Sequence, residues 1–269
     1  VVSVEDRGFQ FGDGVYEVLV ASEHGVFLLE EHLRRLKRSA AAVGIQYDFD
    51  RRPLAPIIFE GLKRCGFNPA MIYIQLTRGV APRHHVAPDL IEPTLVVTWR
   101  RRNLLPEAER ASGVKVITTK DIRWDHCFIK AITLLPNVMA KTEAYRRGCF
   151  DALFVTEGGE VRESTTANAF VVRGGKVRIP PRNESILHGI TQGFVIQCAK
   201  NIGVDLQEAR IDLEELRTAD EVFLSSTTIE VLSVTSIDDR PVADGKPGPI
   251  AGRLFDEFCR RIPEHSTRG

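Results

Sequence analysis

The stretch CFIKAITLLPNVMAK, Cys127–Lys141, decides how this chain is read. Lys130 follows Phe128 and Ile129 and precedes Ala131, Ile132, Leu134 and Leu135. Ammonium groups resist burial, so an amine in an apolar run needs a reason. Taken alone, snorkelling suffices: the stem packs on apolar surface and the head reaches water. Lys130 also stands where a strand pattern, VKVITTKDIRW, gives way to a helix expected from about Ile132 to Arg147. Pro136 is tolerated only in a first turn, which argues for a later start to that helix. A side chain at such an element end is held rigidly and can face a cleft. A desolvated lysine there has a lowered pKa and can attack a carbonyl to form a Schiff base.

Working outward, the chain has 269 residues, 43% of them hydrophobic, enough to bury a sizeable core in one large or two medium domains. It carries 36 basic and 36 acidic residues, for zero formal net charge. That balance argues against nucleic acid or an anionic membrane as main partner. No apolar run approaches the roughly twenty residues that span a bilayer. No signal-peptide pattern opens the chain, though VVSVEDRG lacks Met, so a trimmed start is expected and a targeting segment stays open. The five cysteines are widely spaced without C-x-x-C, which disfavours a disulfide framework or zinc and points to a reducing cytoplasm.

The first part reads as a hairpin, strands near Gly14–Ala21 and Gly25–Leu29, then a helix on which Leu33, Leu36, Ala40 and Val43 recur and which Gly44 closes. The run EEHLRRLKR on that helix reads first as a solvated face. A second helix near Leu54–Cys65 leads to the strands MIYIQLTRG and TLVVTWRRR. Pro106 and a charged stretch then mark a domain boundary, giving domains over 1–103 and 104–269. Beyond it, hairpins turn at Gly158–Gly159 and Gly174–Gly175, pairs suited to primed turns. Helices follow near Ile190–Gly203, Leu213–Thr218 and Ile250–Ile262, with the strand pair EVFLSSTTIEVLSV among them. Hairpins with helices between them suggest α+β architecture.

Four features besides Lys130 could carry chemistry. Glu163 lies beside the small hydroxyl residues Ser164, Thr165 and Thr166, though it also suits a solvated turn. Gly189, Ile190 and Thr191 start a helix whose free N–H groups form a ready anion site, or Thr191 simply caps it. Ser225, Ser226, Thr227 and Thr228 offer further donors, or turn chemistry. Arg78, Arg83, His84 and His85 sit on or beside a Pro-containing loop, and the arginine fork suits carboxylate or phosphate. A metal held by His84, His85 and Asp89 is disfavoured, because adjacent residues rarely converge on one ion. In FQFGDGVYEVL, Gly12 and Gly14 precede a strand, so a turn is expected there and not a phosphate loop.

A Schiff-base lysine, a carboxylate, an anion-binding helix start, hydroxyls and an arginine are what pyridoxal 5′-phosphate needs. The chain resembles the fold-type IV pyridoxal-phosphate enzymes, most closely the D-amino-acid transaminases. The matching stretches EDRGFQFGDGVYEVL, EHLRRL, TRGVAPRHH, DIRWDHCFIKAITLLPNVMAK, VRESTTANAF, ILHGITQ and SSTTIEV run in family order over nearly the whole chain. The resemblance implies a smaller N-terminal α/β domain and a larger C-terminal cofactor-binding domain with a β-barrel-like core. It makes Lys130 the Schiff-base lysine. Arg35 binds the cofactor phosphate, with the backbone of Ile190 and with Thr191, Ser226 and Thr227. Glu163 pairs with the pyridine nitrogen and Leu187 supports the ring. Tyr16, Arg83 and His85 form the substrate carboxylate trap, on a loop that enters a partner subunit in the family, which implies a homodimer. Two departures stand out: VRES where many relatives have TEG, and His84 beside the trap.

The implied function is ping-pong transamination of D-amino acids with a 2-oxo acid, Lys130 serving as base at Cα and then as acid at C4′. Branched-chain L-amino-acid and (R)-amine transaminases and aminodeoxychorismate lyases share this machinery. The Arg83-x-His85 pair favours D-amino acids, with a broader enzyme that also takes (R)-amines as runner-up. A cofactor-less α+β binding protein is the alternative of another class, and Lys130, Glu163 and Arg35 together argue against it.

Overall fold

Alternation of buried and half-buried residues along Gly14–Ser22 (β1), with Val15 and Leu19 fully enclosed, builds the first sheet. The computed structural model describes residues 2–269 and falls into two units. The first comprises the chain up to Asn103 together with Ile129–Leu134 and Ile262–Gly269. In it Arg7–Phe11 (α1) precedes β1, followed by Gly25–Phe27 (β2), Leu29–Ala42 (α2), Leu54–Cys65 (α3), Ala70–Thr77 (β3) and Thr94–Arg101 (β4). The five-stranded sheet runs Ser266–Thr267, β2, β1, β3, β4, antiparallel throughout. β3 pairs with the length of β1, from Gly14 opposite Thr77 to Ala21 opposite Ala70. On the other edge β2 reaches only Ala21 and Ser22. The vacated half of that edge takes Ile129–Leu134: Val15 bridges Ala131, and Ile132 N–H donates to the Gly14 carbonyl at 3.1 Å. Gly12 closes α1 at φ 68°, and a Cβ there would stand 2.6 Å from Thr133 Cγ2. Leu36 and Ile58 of the helices are fully buried with Ile72, Ile74 and Leu76 of β3.

The second unit holds Leu104–Phe128 and Leu135–Arg261. Its elements are Glu107–Ser112 (α4), Val114–Lys120 (β5), Leu135–Arg146 (α5), Asp151–Val155 (β6), Val161–Ser164 (β7), Asn168–Arg173 (β8), Lys176–Ile179 (β9), Ile190–Asn201 (α6), Leu206–Glu208 (β10), Leu213–Arg217 (α7), Glu221–Ser226 (β11), Glu230–Ile237 (β12) and Pro249–Arg261 (α8). The strands run β10-β9-β8-β11-β12-β5-β6-β7, and β7 pairs back onto β8. Six strands thus close a barrel-like ring, with β5 parallel to both of its neighbours. Val116, Leu153, Val171, Val222, Leu224 and Val234 share one core. Phe194 of α6 meets Phe258 of α8 edge-on at 5.1 Å.

Several expectations need correction. Ile129–Leu134 and Ile262–Gly269 group with the first unit, although the sequence reading gave all of 104–269 to the second. α5 starts at Leu135, because the residues before it pair along β1. The expected turn around Gly12 is preceded by the short helix α1, capped by Asp6 accepting from Gly8 N–H at 2.8 Å. Gly174 and Gly175, at φ 57° and 76°, form the expected two-residue turn. Gly158–Gly159 does not: the link spans 156–160, with Thr156 Oγ1 accepting from Glu160 N–H at 3.0 Å. Among the described residues no helix is long and apolar enough to cross a membrane, and no cluster of three or more His, Cys, Asp or Glu is arranged for a metal.

Candidate active site

In the first unit the site begins with Lys130. Its N–H donates to Ser39 Oγ at 3.2 Å and its carbonyl accepts from Tyr16 N–H at 2.9 Å. α2 and β1 therefore fix the Lys130 backbone from both ends. The half-buried amine donates to the Tyr16 hydroxyl at 3.3 Å and lies 4.3 Å from that ring's centre. Tyr16 and Lys130 are thus brought together.

Behind them lies a buried ion cluster that the sequence reading missed. Glu17 is fully enclosed and accepts from Arg35 Nε at 2.6 Å, Arg35 Nη2 at 2.9 Å and His32 Nδ1 at 2.7 Å. Burial pushes the Glu17 carboxyl up, but the charges and hydrogen bonds of Arg35 and His32 outweigh it and hold the group well below the usual carboxylate range. Burial also pushes His32 down, with the Lys130 charge adding to that and Glu17 opposing it. The His32 Nδ1 faces Glu17, and its Nε2 is buried without a partner. The run EEHLRRLKR is a solvated face only in part: Glu30, Arg34, Lys37 and Arg38 are exposed, while His32, Arg35 and Leu36 turn inward. Arg35, expected to hold phosphate, is gripped by Glu17 on one side of its fork.

Arg83 and His85 stand exposed on their loop beside Phe11, with the Arg83 guanidinium 4.5 Å and the His85 ring 5.5 Å from the Phe11 centre. Arg83 donates to the Gln10 carbonyl at 3.2 Å. Arg78 is structural: it binds Asp13 at 2.7 Å and the Val43 and Gly44 carbonyls at the end of α2, at 2.6 and 2.9 Å. The exposed His84 ring accepts from Val86 N–H at 3.2 Å.

In the second unit Glu163 is buried at the end of β7, not solvated. Oε1 accepts from Arg123 at 2.6 Å and from Leu187 N–H at 3.0 Å, and Oε2 accepts from Asn168 Nδ2 at 3.1 Å. Arg123 also binds Asp121 at 2.9 and 3.0 Å and lies 4.2 Å from the Phe154 ring centre. Sequence reasoning missed Arg123 and Asn168, whose partners lie 40 and 5 residues away along the chain. Asn168 Nδ2 donates to the Leu187 carbonyl at 2.9 Å, so Leu187 is held by Glu163 at its N–H and by Asn168 at its carbonyl. Gly189 is required next to it: a Cβ there would stand 2.0 Å from Asn168 Oδ1. The hydroxyls after Glu163 have a separate task. Ser164, Thr165 and Thr166 all donate to the buried Asp151, at 3.1, 2.5 and 3.2 Å, fixing the corner that follows β7.

The cap of α6 is Gly189 and no side chain closes the helix start, so Thr191 is not the cap. Its hydroxyl is buried without a partner, as are the Gln192 amide and the Ser225 hydroxyl. Ser226 and Thr228 hydroxyls lie 3.3 Å apart, and Thr227 is half-buried in the turn between β11 and β12. A helix start with open N–H groups and unsatisfied buried donors suits a phosphate. A buried carboxylate suits a protonated ring nitrogen, and the Lys130 amine suits an aldehyde. The residues present therefore fit pyridoxal phosphate.

The sequence matches the model of the family described as amino-transferase class IV over residues 14–237. It is 39% identical over 264 residues to a D-alanine aminotransferase of Listeria innocua, covering 97% of this chain and 91% of that protein. Among solved structures, the branched-chain aminotransferase of Thermoproteus uzoniensis with norvaline superposes at TM-score 0.90 and 27% identity, over 98% of this chain and 90% of that one. A further branched-chain amino acid aminotransferase, solved with pyridoxamine 5′-phosphate, superposes at TM-score 0.90 and 28% identity over the same shares, 98% and 90%.

Proposed function

The chain belongs to the class IV aminotransferases, which use pyridoxal phosphate, and from that premise we propose that it transaminates D-amino acids with a 2-oxo acid as acceptor. The observation that carries this reading is the Lys130 amine held against Tyr16 by two backbone bonds. Lys130 is the amine that would hold the cofactor through its aldehyde, and it would serve as the base at substrate Cα and as the acid that gives the proton back. Pyridoxal phosphate supplies the sink for the electron pair that Cα retains. Glu163 favours the protonated ring nitrogen, since an adjacent opposite charge raises a cation's pKa. Leu187, held by Glu163 at its N–H and by Asn168 at its carbonyl, supports the ring. Arg35, the Ile190 N–H, Thr191, Ser226 and Thr227 hold the phosphate.

The D-preference rests on Arg83 and His85, with Tyr16, as the clamp for the α-carboxylate. Two observations support it: neither ring nor guanidinium has a carboxylate partner among the described residues, and the Listeria relative is named for D-alanine. Exposure of both residues on a single chain supports a homodimer, in which a second copy would complete the clamp. Five free cysteines suit a reducing cytoplasm. The second reading, L-branched-chain substrates, is favoured by the solved neighbours. The deciding experiment is a half-reaction of the holoenzyme with D-alanine, L-alanine, L-leucine and (R)-1-phenylethylamine, following the cofactor's visible band. Conversion by D-alanine with L-alanine and L-leucine inert is expected. Faster conversion by the L-forms would replace this reading with the second. Borohydride reduction should map the cofactor to Lys130, and an adduct on another lysine would remove Lys130 from the role.

A further inference from the structure

Arg7 is buried in α1, and its guanidinium points in three directions at once. Nε donates to Asp13 Oδ2 at 2.9 Å, Nη1 to the His84 carbonyl at 2.6 Å and Nη2 to the His85 carbonyl at 3.3 Å. Asp13 is itself fixed, because Arg78 Nε donates to the same oxygen at 2.7 Å. Burial pushes the Asp13 carboxyl up, but hydrogen bonds and charge from Arg78 and Arg7 hold it below its ordinary value. Arg7 is pinned through its backbone too, its N–H donating to the Gly79 carbonyl at 2.9 Å. The guanidinium also lies 4.8 Å from the centre of the Phe11 ring, the ring that carries Arg83 and His85.

Two consecutive carbonyls held by one fork fix both peptide planes around His85. The arginine fork is planar and rigid, and a lysine ammonium cannot span three such acceptors. We propose that Arg7 is the positioning residue of the substrate-carboxylate clamp, setting the spacing between Arg83 and His85 through the backbone of their loop. This rests on the reading of Arg83 and His85 as that clamp. Arg7 acts through the loop and touches no substrate.

The test uses holoenzyme of four variants: Arg7→Lys, Asp13→Asn, Arg83→Ala and the Arg7→Lys/Arg83→Ala double. Single-turnover half-reactions over a range of concentrations of the reactive alanine enantiomer give an apparent Kd and a limiting rate. Hydrogen exchange reports separately on the amides of 83–86. Arg7→Lys should raise the Kd about tenfold, change the limiting rate much less and speed exchange in the loop, since small misplacements of positioning groups are costly. Asp13→Asn should do the same more weakly, which covers the case in which Arg7→Lys folds poorly. The double variant should lose less than the product of the two single effects, because one of the two groups that Arg7 places is already gone and only His85 remains to be misplaced. Unchanged Kd and exchange in Arg7→Lys, or an effect that multiplies with that of Arg83→Ala, would overturn the proposal. An unchanged Kd in Arg83→Ala with faster loop exchange in Arg7→Lys would instead sink the clamp reading and leave the positioning of the loop standing.

Discussion

Glu17 in the first unit and Glu163 in the second are each buried against an arginine, and the two pairs are built differently. In the first, Glu17 receives two bonds from Arg35 and a third from His32, all between β1 and α2. In the second, Glu163 receives one bond from an arginine that also grips Asp121, while Leu187 and Asn168 give it neutral N–H donors. The first carboxylate is committed to Arg35 and His32 and reads as a pin for α2. The second shares its cation with Asp121, so more of its negative potential is left for a cation that arrives from outside the chain. Buried carboxylate and arginine are thus not one motif with one role, and what else the arginine holds separates the two uses.

The largest effect we expect is loss of transamination in Lys130→Ala, by at least the ~10²–10⁴-fold of a missing general acid-base. Circular dichroism and urea unfolding should match the parent. Measurable turnover at the parent rate would break the site assignment. The same substitution at the two glutamates then tests the comparison directly. Glu17→Gln leaves the Arg35 charge buried and under-compensated, at a cost of about 3–5 kcal/mol in urea unfolding. Glu163→Gln should cost less than half of that in stability and keep the cofactor. It should slow Cα proton removal about 10²–10³-fold, the scale of one lost electrostatic group in an active site. If the stability loss fell on Glu163→Gln and the rate loss on Glu17→Gln, the distinction drawn above would be reversed.

A smaller effect sharpens the second pair. Burial pushes the Cys127 thiol up to about 11, with Arg123 pulling it down and Glu163 and Asp121 raising it further. A raised pKa means the folded state prefers the thiol. Its contribution to stability is complete below the unfolded value and is lost as pH rises from there through about 11. Iodoacetamide at pH 8 should therefore reach the exposed Cys259 and spare the buried Cys127, whose thiolate fraction is about 10²-fold below that of a thiol at the ordinary value. In Glu163→Gln, with one negative neighbour removed, the Cys127 value should fall. A pH–labelling profile followed by mass spectrometry checks both statements.

Local chemistry made much of the fold legible. The helix read near Leu54–Cys65 stands there as α3, and a Gly-Gly pair with positive φ at both residues closed the hairpin of β8 and β9. What could not be read was anything set by distant pairing. β2 is too short to cover β1, so residues near 130 are drawn into extended pairing and α5 loses its first turn. Hydrophobicity alone also mistakes a buried ion cluster for a solvated face, since His32 and Arg35 score as polar however deeply they are packed. Of the candidate site, Lys130, Glu163 and the α6 start were visible as residue types. Glu17, Arg123 and Asn168 were not, because each matters through a partner at least five residues away.

The membership of Ile129–Leu134 and Ser266–Thr267 in the first sheet's unit bears on biogenesis. A ribosome would release residues up to Asn103 with both free edges of β1 and β2 still lacking their last partners. One partner arrives with Lys130 and the other only with the final few residues of this sequence. The first unit is therefore completed only after the second has been synthesised. Its sequence-distant contacts raise the contact order and slow folding. A fragment cut after Asn103 would lack the lysine and retain unpaired strand edges, so co-expressed halves divided there would be prone to aggregate before they could complement each other.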